Sequence, residues 1–138
     1  LYEQVFITPH GHPLLEKPLS SLDEIASWPL VLIGSGTHSS MVLEESFRRW
    51  GISYEIVMEL DSMDMIKRYV GLGVGVSVGP RFAMEPRDEK ELGLLSLASF
   101  PPVDQAGIVT LRGKSLSTPT RNFISVMKDT FAPATSRR

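Results

Sequence analysis

The stretch PLVLIGSGTHSSMVLEESFRRWGISYEIVMELDS, Pro29 to Ser62, reads as one α/β unit with two strand-to-helix turns. Leu30-Val31-Leu32-Ile33 is short and partly β-branched, the pattern of a buried strand. A glycine-serine loop, Gly34 to Ser40, follows it. A helix is expected from about Met41 to Trp50, with Leu43, Phe47 and Trp50 forming a buried stripe. Glu44 with Arg48, and Glu45 with Arg49, stand at ion-pair spacing on its wet face, and Gly51 sits where a C-terminal cap belongs. A second strand, Tyr54 to Glu59, runs into Asp61-Ser62. Either of these two caps a further helix that places Met63, Ile66 and Val70 on one face, with Asp64 favourably in its first turn. In a parallel sheet both turns lie beyond the carboxyl ends of the strands, where small ligands bind. The two loops are therefore expected to form half of a small-molecule pocket.

The flanking segments extend the same pattern. Tyr2 to Thr8 reads as a strand, stopped by the Pro9-His10-Gly11-His12-Pro13 cluster. Ser21 and Glu24 have capping-box spacing at the start of a short helix. Val74, Val76 and Val78 form a strand between glycines, Pro80 to Met84 a helical turn, and Arg87 to Glu91 a solvated link. Strands are expected at Leu92 to Phe100, ended by Pro101-Pro102, and at Gln105 to Arg112. A last helix from Thr118-Pro119 to about Phe131 should bury Phe123, Met127 and Phe131, and a tail follows from Pro133. Strands alternating with helices point to an α/β fold with a mostly parallel sheet.

Composition narrows the function classes. The chain has 138 residues, enough for one domain; 42% are hydrophobic and 22% charged, an ordinary globular balance. A formal net charge of −2 argues against this piece gripping nucleic acid by itself, because phosphate binding needs clustered Lys and Arg. Without cysteine there is no disulfide frame and no thiolate chemistry. No apolar run reaches the ~18 residues of a membrane span. The first residues are not a signal peptide, and with no initiator Met the chain reads as a fragment of something longer.

Several motifs could carry chemistry. The loop Ser35-Gly36-Thr37 offers backbone amides and hydroxyls at a helix start, an anion site or simply a serine-rich cap. It lacks the lysine of a phosphate-binding Walker loop. Asp61-Ser62 is the matching turn, a cap or a second ligand contact, with Met63 packing on the ligand. Gly71-Leu72-Gly73-Val74-Gly75 follows a helix and enters a strand, the reverse of a dinucleotide fingerprint. His10 and His12 lack partners at metal spacing. His38 has no legible catalytic partner, and Ser39 and Ser40 lack a nucleophile-elbow pattern. Thr8, followed by Pro9, would face a cleft if Val5 to Thr8 and Gly107 to Leu111 were neighbouring strands; otherwise it is a strand end.

Taken in order, VFITPHGHPL, LSSLDEIASWPLVLIGSGTHSS, the Phe47 to Ile52 segment, IVMELDSMDMIKRYVGLGVGVSVGP and QAGIVTLRG resemble the effector-binding region of LysR-type transcriptional regulators, over nearly the whole chain. The resemblance implies a Rossmann-like lobe of the type 2 periplasmic-binding-protein fold, with a mixed, mostly parallel sheet. Residues 1–9 would be a crossover strand, 10–104 the second lobe, and 105–138 the return crossover and terminal helix of an incomplete first lobe. It carries effector contacts to Thr8, Ser35, Gly36, Thr37, Asp61 and Ser62, with Pro9, His38 and Met63 lining the pocket. It implies a small-molecule co-inducer, anionic ones among the candidates, and neither cofactor nor metal. DNA would be bound only through an absent N-terminal domain, in a cytoplasmic bacterial homodimer or homotetramer with no membrane contact. Asp61 stands where the family often has a neutral polar residue. Lacking their usual sheet, the crossover strands and last helix are expected to pair with another copy or to be poorly ordered. The alternatives are a solute-binding receptor of a transport system and, further off, an α/β enzyme using His38 and the serine loop.

Overall fold

The computed structural model describes residues 3–97 and 107–131. The first of these stretches lies in one compact unit and the second in another. The larger unit contains β1 (Gln4–Pro9), α1 (Leu22–Ala26), β2 (Leu30–Ile33), α2 (His38–Arg49), β3 (Ile56–Leu60), α3 (Met63–Gly71), β4 (Ser77–Pro80) and β5 (Leu92–Ser96); the smaller contains α4 (Thr118–Phe131).

Two ladders make the sheet. β1 lies between β4 and β5 and is antiparallel to both, while β2 and β3 pair in parallel. A parallel bridge from Leu30 to Val76 joins the ladders. The Val76 amide donates to Pro29 O at 2.8 Å and the Val31 amide to Val76 O at 2.8 Å. The order is thus β3-β2-β4-β1-β5, and only β1 runs against the rest. Gly75 makes this junction possible, because a Cβ there would stand 2.4 Å from Pro29 O.

Both faces of the sheet are covered. On one, Phe6, Leu30, Leu32 and Val78 pack with Ile25 of α1 and with Leu43 and Phe47 of α2. On the other, Val5, Ile7 and Val31 pack with Ile66 and Val70 of α3. Successive strand residues point to opposite faces, so Val5, Phe6 and Ile7 can all be fully buried only in a strand covered on both sides.

Several expectations need correction. Gly107 to Leu111 forms no strand. Among the described residues, β4 and β5 flank β1 on its two sides. β1 therefore needs no second copy to pair with. α2 begins at His38 rather than Met41, so the serine-rich segment is its first turn. Trp50 follows the last helical residue and is 74% exposed, leaving Leu43 and Phe47 as the buried stripe. Arg48 pairs with Glu45 at 3.3 Å, while Glu44 accepts from the Tyr54 hydroxyl at 2.9 Å. Tyr54 precedes β3 and lays its ring against Phe47, with centroids 4.9 Å apart. Ser21 makes no capping bond; Glu24 instead reaches back to the amide and hydroxyl of Ser20. In α4, Phe123 is 65% exposed rather than buried. Tyr2, Phe100, Pro101-Pro102, Gln105 and the tail from Pro133 lie outside the described residues.

Candidate functional site

The parallel register of β2 and β3 brings their following turns together. Leu60 pairs with Ile33, and the Gly34 amide donates to Leu60 O at 2.8 Å. A Cβ on Gly34 would lie 3.8 Å from Asp61 Oδ1. The two corners predicted to share a ligand are therefore in direct contact at one edge of the sheet.

The first corner is a tight turn closed by the Thr37 amide donating to Gly34 O at 3.2 Å. Gly36 takes φ +98°, a backbone state that strains any residue with a side chain. Ser35 and Gly36 are exposed and Thr37 is half-buried. Thr37 is the N-cap of α2 but makes no side-chain cap bond. Its Oγ1 is buried and has no hydrogen-bond partner. A helix start leaves four amides without intrahelical partners, and here the cap residue closes none of them with its side chain. The other hydroxyls of the segment have structural work. Ser40 donates to Ile33 O at 2.5 Å, and Ser39 accepts from Gln4 Nε2 at 3.4 Å.

The second corner differs. Ser62 is the N-cap of α3, and its Oγ accepts from the Met65 amide at 3.3 Å. Asp64, in the first turn, is bound by Lys67 at 3.2 Å. The Asp61 carboxylate is exposed and has neither hydrogen bond nor ion pair among the described residues. Met63 is half-buried and packs over β4, where a Cβ on Gly79 would meet its Cε at 2.5 Å.

Thr8 and Pro9 are not part of this arrangement. Because β1 runs opposite to its neighbours, Gln4 pairs with Pro80 at the edge that carries the two corners, and Thr8 emerges at the other edge beside Gly93. Thr8 is fully buried, and its hydroxyl donates to Pro9 O at 3.0 Å and lies 3.4 Å from Gly93 O. It is a packed strand end. Sequence reasoning missed Gln4, which the reversal of β1 brings to the Ser39 hydroxyl. Nothing short of strand direction would have revealed it.

His38 is exposed on the first turn of α2. It also borders a groove of ≈ 850 Å³ whose walls include Leu22, Met41, Glu45, Arg49 and Trp50. That groove runs along the outer side of α2, and of the predicted site residues it involves only His38. Concave shape and unpartnered chemistry thus point to different places. Among the described residues, Gln4, His12, Thr37 and Ser77 each hold a buried side-chain polar atom without a partner, and of these the Thr37 hydroxyl lies at the two corners. His12 caps a 3-10 turn, its Nδ1 accepting from the Leu14 amide at 3.3 Å, and sets its ring edge-on to Trp28 at 4.3 Å. Among the described residues no three His, Cys, Asp or Glu side chains are grouped to hold a metal, and no helix is long and apolar enough to cross a membrane.

Lys67 is a buried cation that the sequence did not announce. Its ammonium donates to Asp88 at 2.9 Å and to Ala83 O at 3.1 Å, tying α3 to the β4–β5 connection. Burial opposes its charge, but the bonds to Asp88 and Asp64 outweigh burial and raise its pKa above the ordinary value.

Comparison with known proteins places this geometry. The regulator CysB of Burkholderia cenocepacia is 26% identical over 132 residues, which is 96% of this chain and 41% of that protein. The regulator Cbl of Escherichia coli is 31% identical over 86 residues, covering 62% of this chain and 27% of Cbl. This chain therefore spans well under half the length of these relatives, which are transcriptional regulators rather than enzymes. The regulatory domain of CcmR from Synechocystis, solved in complex with 2-PG, superposes with a TM-score of 0.74 at 22% identity, over 96% of this chain and 64% of that one. That likeness gives the type 2 periplasmic-binding-protein fold. The model of the LysR substrate binding domain matches residues 2–132. On that match, the chain belongs to the LysR substrate-binding domain family.

Proposed function

We propose that this chain is the effector-binding part of a cytoplasmic LysR-type transcription regulator. A small metabolite would be held at the edge formed by Ser35, Gly36 and Thr37 on one side and Asp61 and Ser62 on the other, with Met63 packing beside it. This edge would face the cleft between lobes. Residues 10–104 would be the second lobe, β1 a crossover into it, and residues from 105 the return. Binding would shift the balance between lobe arrangements and so the spacing of DNA-binding heads in a homodimer or homotetramer. DNA contact would belong to the rest of the regulator, in keeping with a net charge of −2 here.

The observation that carries this reading is the buried Thr37 Oγ1, unpartnered at the open start of α2 and one turn from Gly34. Native proteins rarely leave such a group unsatisfied, and a bound ligand at the corners would satisfy this one. The test is an amide-resolved NMR titration of the chain with small organic acids, 2-PG among them. Shifts are expected in residues 34–40 and 61–65, and Thr37→Val should weaken binding by roughly tenfold. If no acid moves those amides, or if Thr37→Val binds as well as the parent, the proposal fails.

A further inference from the structure

The edge that carries the two corners has a third turn, and a buried cation stands behind it. We propose that the turn leaving β4, Arg81 to Met84, belongs to the effector site, and that Lys67 is the positioning residue that holds it there. This rests on the reading that the two corners grip an effector.

Topology brings the turn to this edge. β4 runs parallel to β2 from the bridge between Leu30 and Val76, so its exit at Pro80 lies at the same edge as Gly34. Met63, the first residue of α3, packs over β4, since a Cβ on Gly79 would stand 2.5 Å from its Cε. The chain then makes a 3-10 turn, Arg81–Ala83. The Arg81 amide donates to Glu3 O at 2.9 Å, and the Met84 amide to Arg81 O at 3.0 Å. Met84 packs into the apolar cluster beneath α3, while Arg81 and Phe82 are exposed.

Lys67 holds the turn from inside. Its side chain is only 8% exposed. An ammonium has three hydrogens to donate, and this one meets Ala83 O at 3.1 Å, Asp88 at 2.9 Å and Asp64 at 3.2 Å. Ala83 closes the turn. Asp64 lies in the first turn of α3, next to the Asp61-Ser62 corner. Asp88 is itself fixed by the Glu85 amide at 2.8 Å. An apolar residue of similar volume would serve packing as well, because a buried ion pair adds little stability over hydrophobic side chains. What the ammonium adds is position. Apolar contacts tolerate sliding, whereas bonds to three separate acceptors do not. Lys67 thus fixes the β4 exit against the start of α3, and Arg81 and Phe82 stand on a turn that cannot drift from the corners.

The test is a titration of 2-PG, propanoate and 2-hydroxypropanoate into the full chain, with amide shifts followed residue by residue. An acid that moves residues 34–40 and 61–65 should also move Arg81 to Met84. Lys67→Met keeps the bulk and removes the charge. It should weaken that acid roughly threefold to tenfold, and speed amide exchange at Arg81, Met84 and Met65 more than at Met41. Asp88→Asn cuts only one of the three bonds; it should do the same in smaller measure, and stands in for Lys67→Met should that variant not fold. Ile66→Val lightens the core under the same helix without touching these bonds, and should bind like the parent. If the corners respond while residues 81–84 do not, the inference is overturned and the binding site stands. The same holds if Lys67→Met binds as well as the parent, or if Ile66→Val weakens binding equally. If none of the acids perturbs residues 34–40 or 61–65, the binding reading falls and takes this inference with it.

Discussion

Replacing Thr37 by Val should make the protein more stable while making it a poorer binder. The two residues have nearly the same shape, and the backbone at Thr37, φ −72° and ψ 147°, is an extended state that β-branched residues adopt readily. An ordinary N-cap threonine contributes about 1 kcal/mol through its bond to a first-turn amide, but Thr37 makes no such bond. Its buried hydroxyl has lost its water and gained nothing in return. Desolvating a polar group without a partner costs about 1–3 kcal/mol, and the half-buried side chain argues for the low end. Thr37→Val is therefore expected to gain about 1 kcal/mol, read as a rise of about 0.5 M in the urea midpoint at unchanged slope. A loss of about 1 kcal/mol would refute the reasoning, because it would mean the hydroxyl caps α2 in solution and is not held free for a ligand.

Other consequences follow from the same geometry. Gly75→Ala should cost about 2–5 kcal/mol, the sum of overpacking and one or two lost backbone bonds at ~1 kcal/mol each. Its Cβ would strike Pro29 O, a backbone atom that cannot swing away; denaturant melts would show it, and a neutral result would place the β2–β4 junction elsewhere. Burial works against the charge of Asp88, but the Glu85 amide and the Lys67 ammonium outweigh it and hold its carboxyl below the ordinary 3.8. Its stabilisation is complete above about that pH and fades as pH falls through the lowered value. Asp88→Asn should flatten that acid limb in pH-dependent melts and cost about 3 kcal/mol at neutral pH, since Lys67 loses one of its two carboxylates. Burial lowers the pKa of His12 below 6.5, so the stability it provides is full above 6.5 and declines as pH falls through the lowered value. His12→Asn keeps a cap acceptor that does not titrate, and should melt with less pH dependence between 7 and 5.

Much of the site was legible without coordinates because its signals are local. Residues Gly34 to Thr37 and Asp61-Ser62 sit in short turns after apolar strands, and the covalent chain alone places them beyond strand ends. What that reading missed came from longer range. It read the serine-rich loop as an anion site or a cap, yet Ser39 and Ser40 are engaged by Gln4 and by Ile33 O. It carried Thr8 to the ligand by resemblance, while its reading of the residues left Thr8 either facing a cleft or at a plain strand end. It took Trp50 as core because spacing cannot say where α2 stops contacting the sheet. Nothing along the chain singled out Lys67, because its partner Asp88 lies 21 residues on.

By itself the sequence determined which segments are strands or helices over residues 30–71, which of their faces are apolar, and that two polar turns follow parallel strands. These are properties of neighbours along the chain, set by side-chain periodicity and turn chemistry. Only the tertiary structure decided the direction of β1, and with it which end of that strand meets the site. Both directions bury Val5, Phe6 and Ile7 equally well, so no hydrophobic pattern distinguishes them. The hydrogen-bond register with β4 and β5 does, and it sends Thr8 to the far edge and Gln4 to the near one.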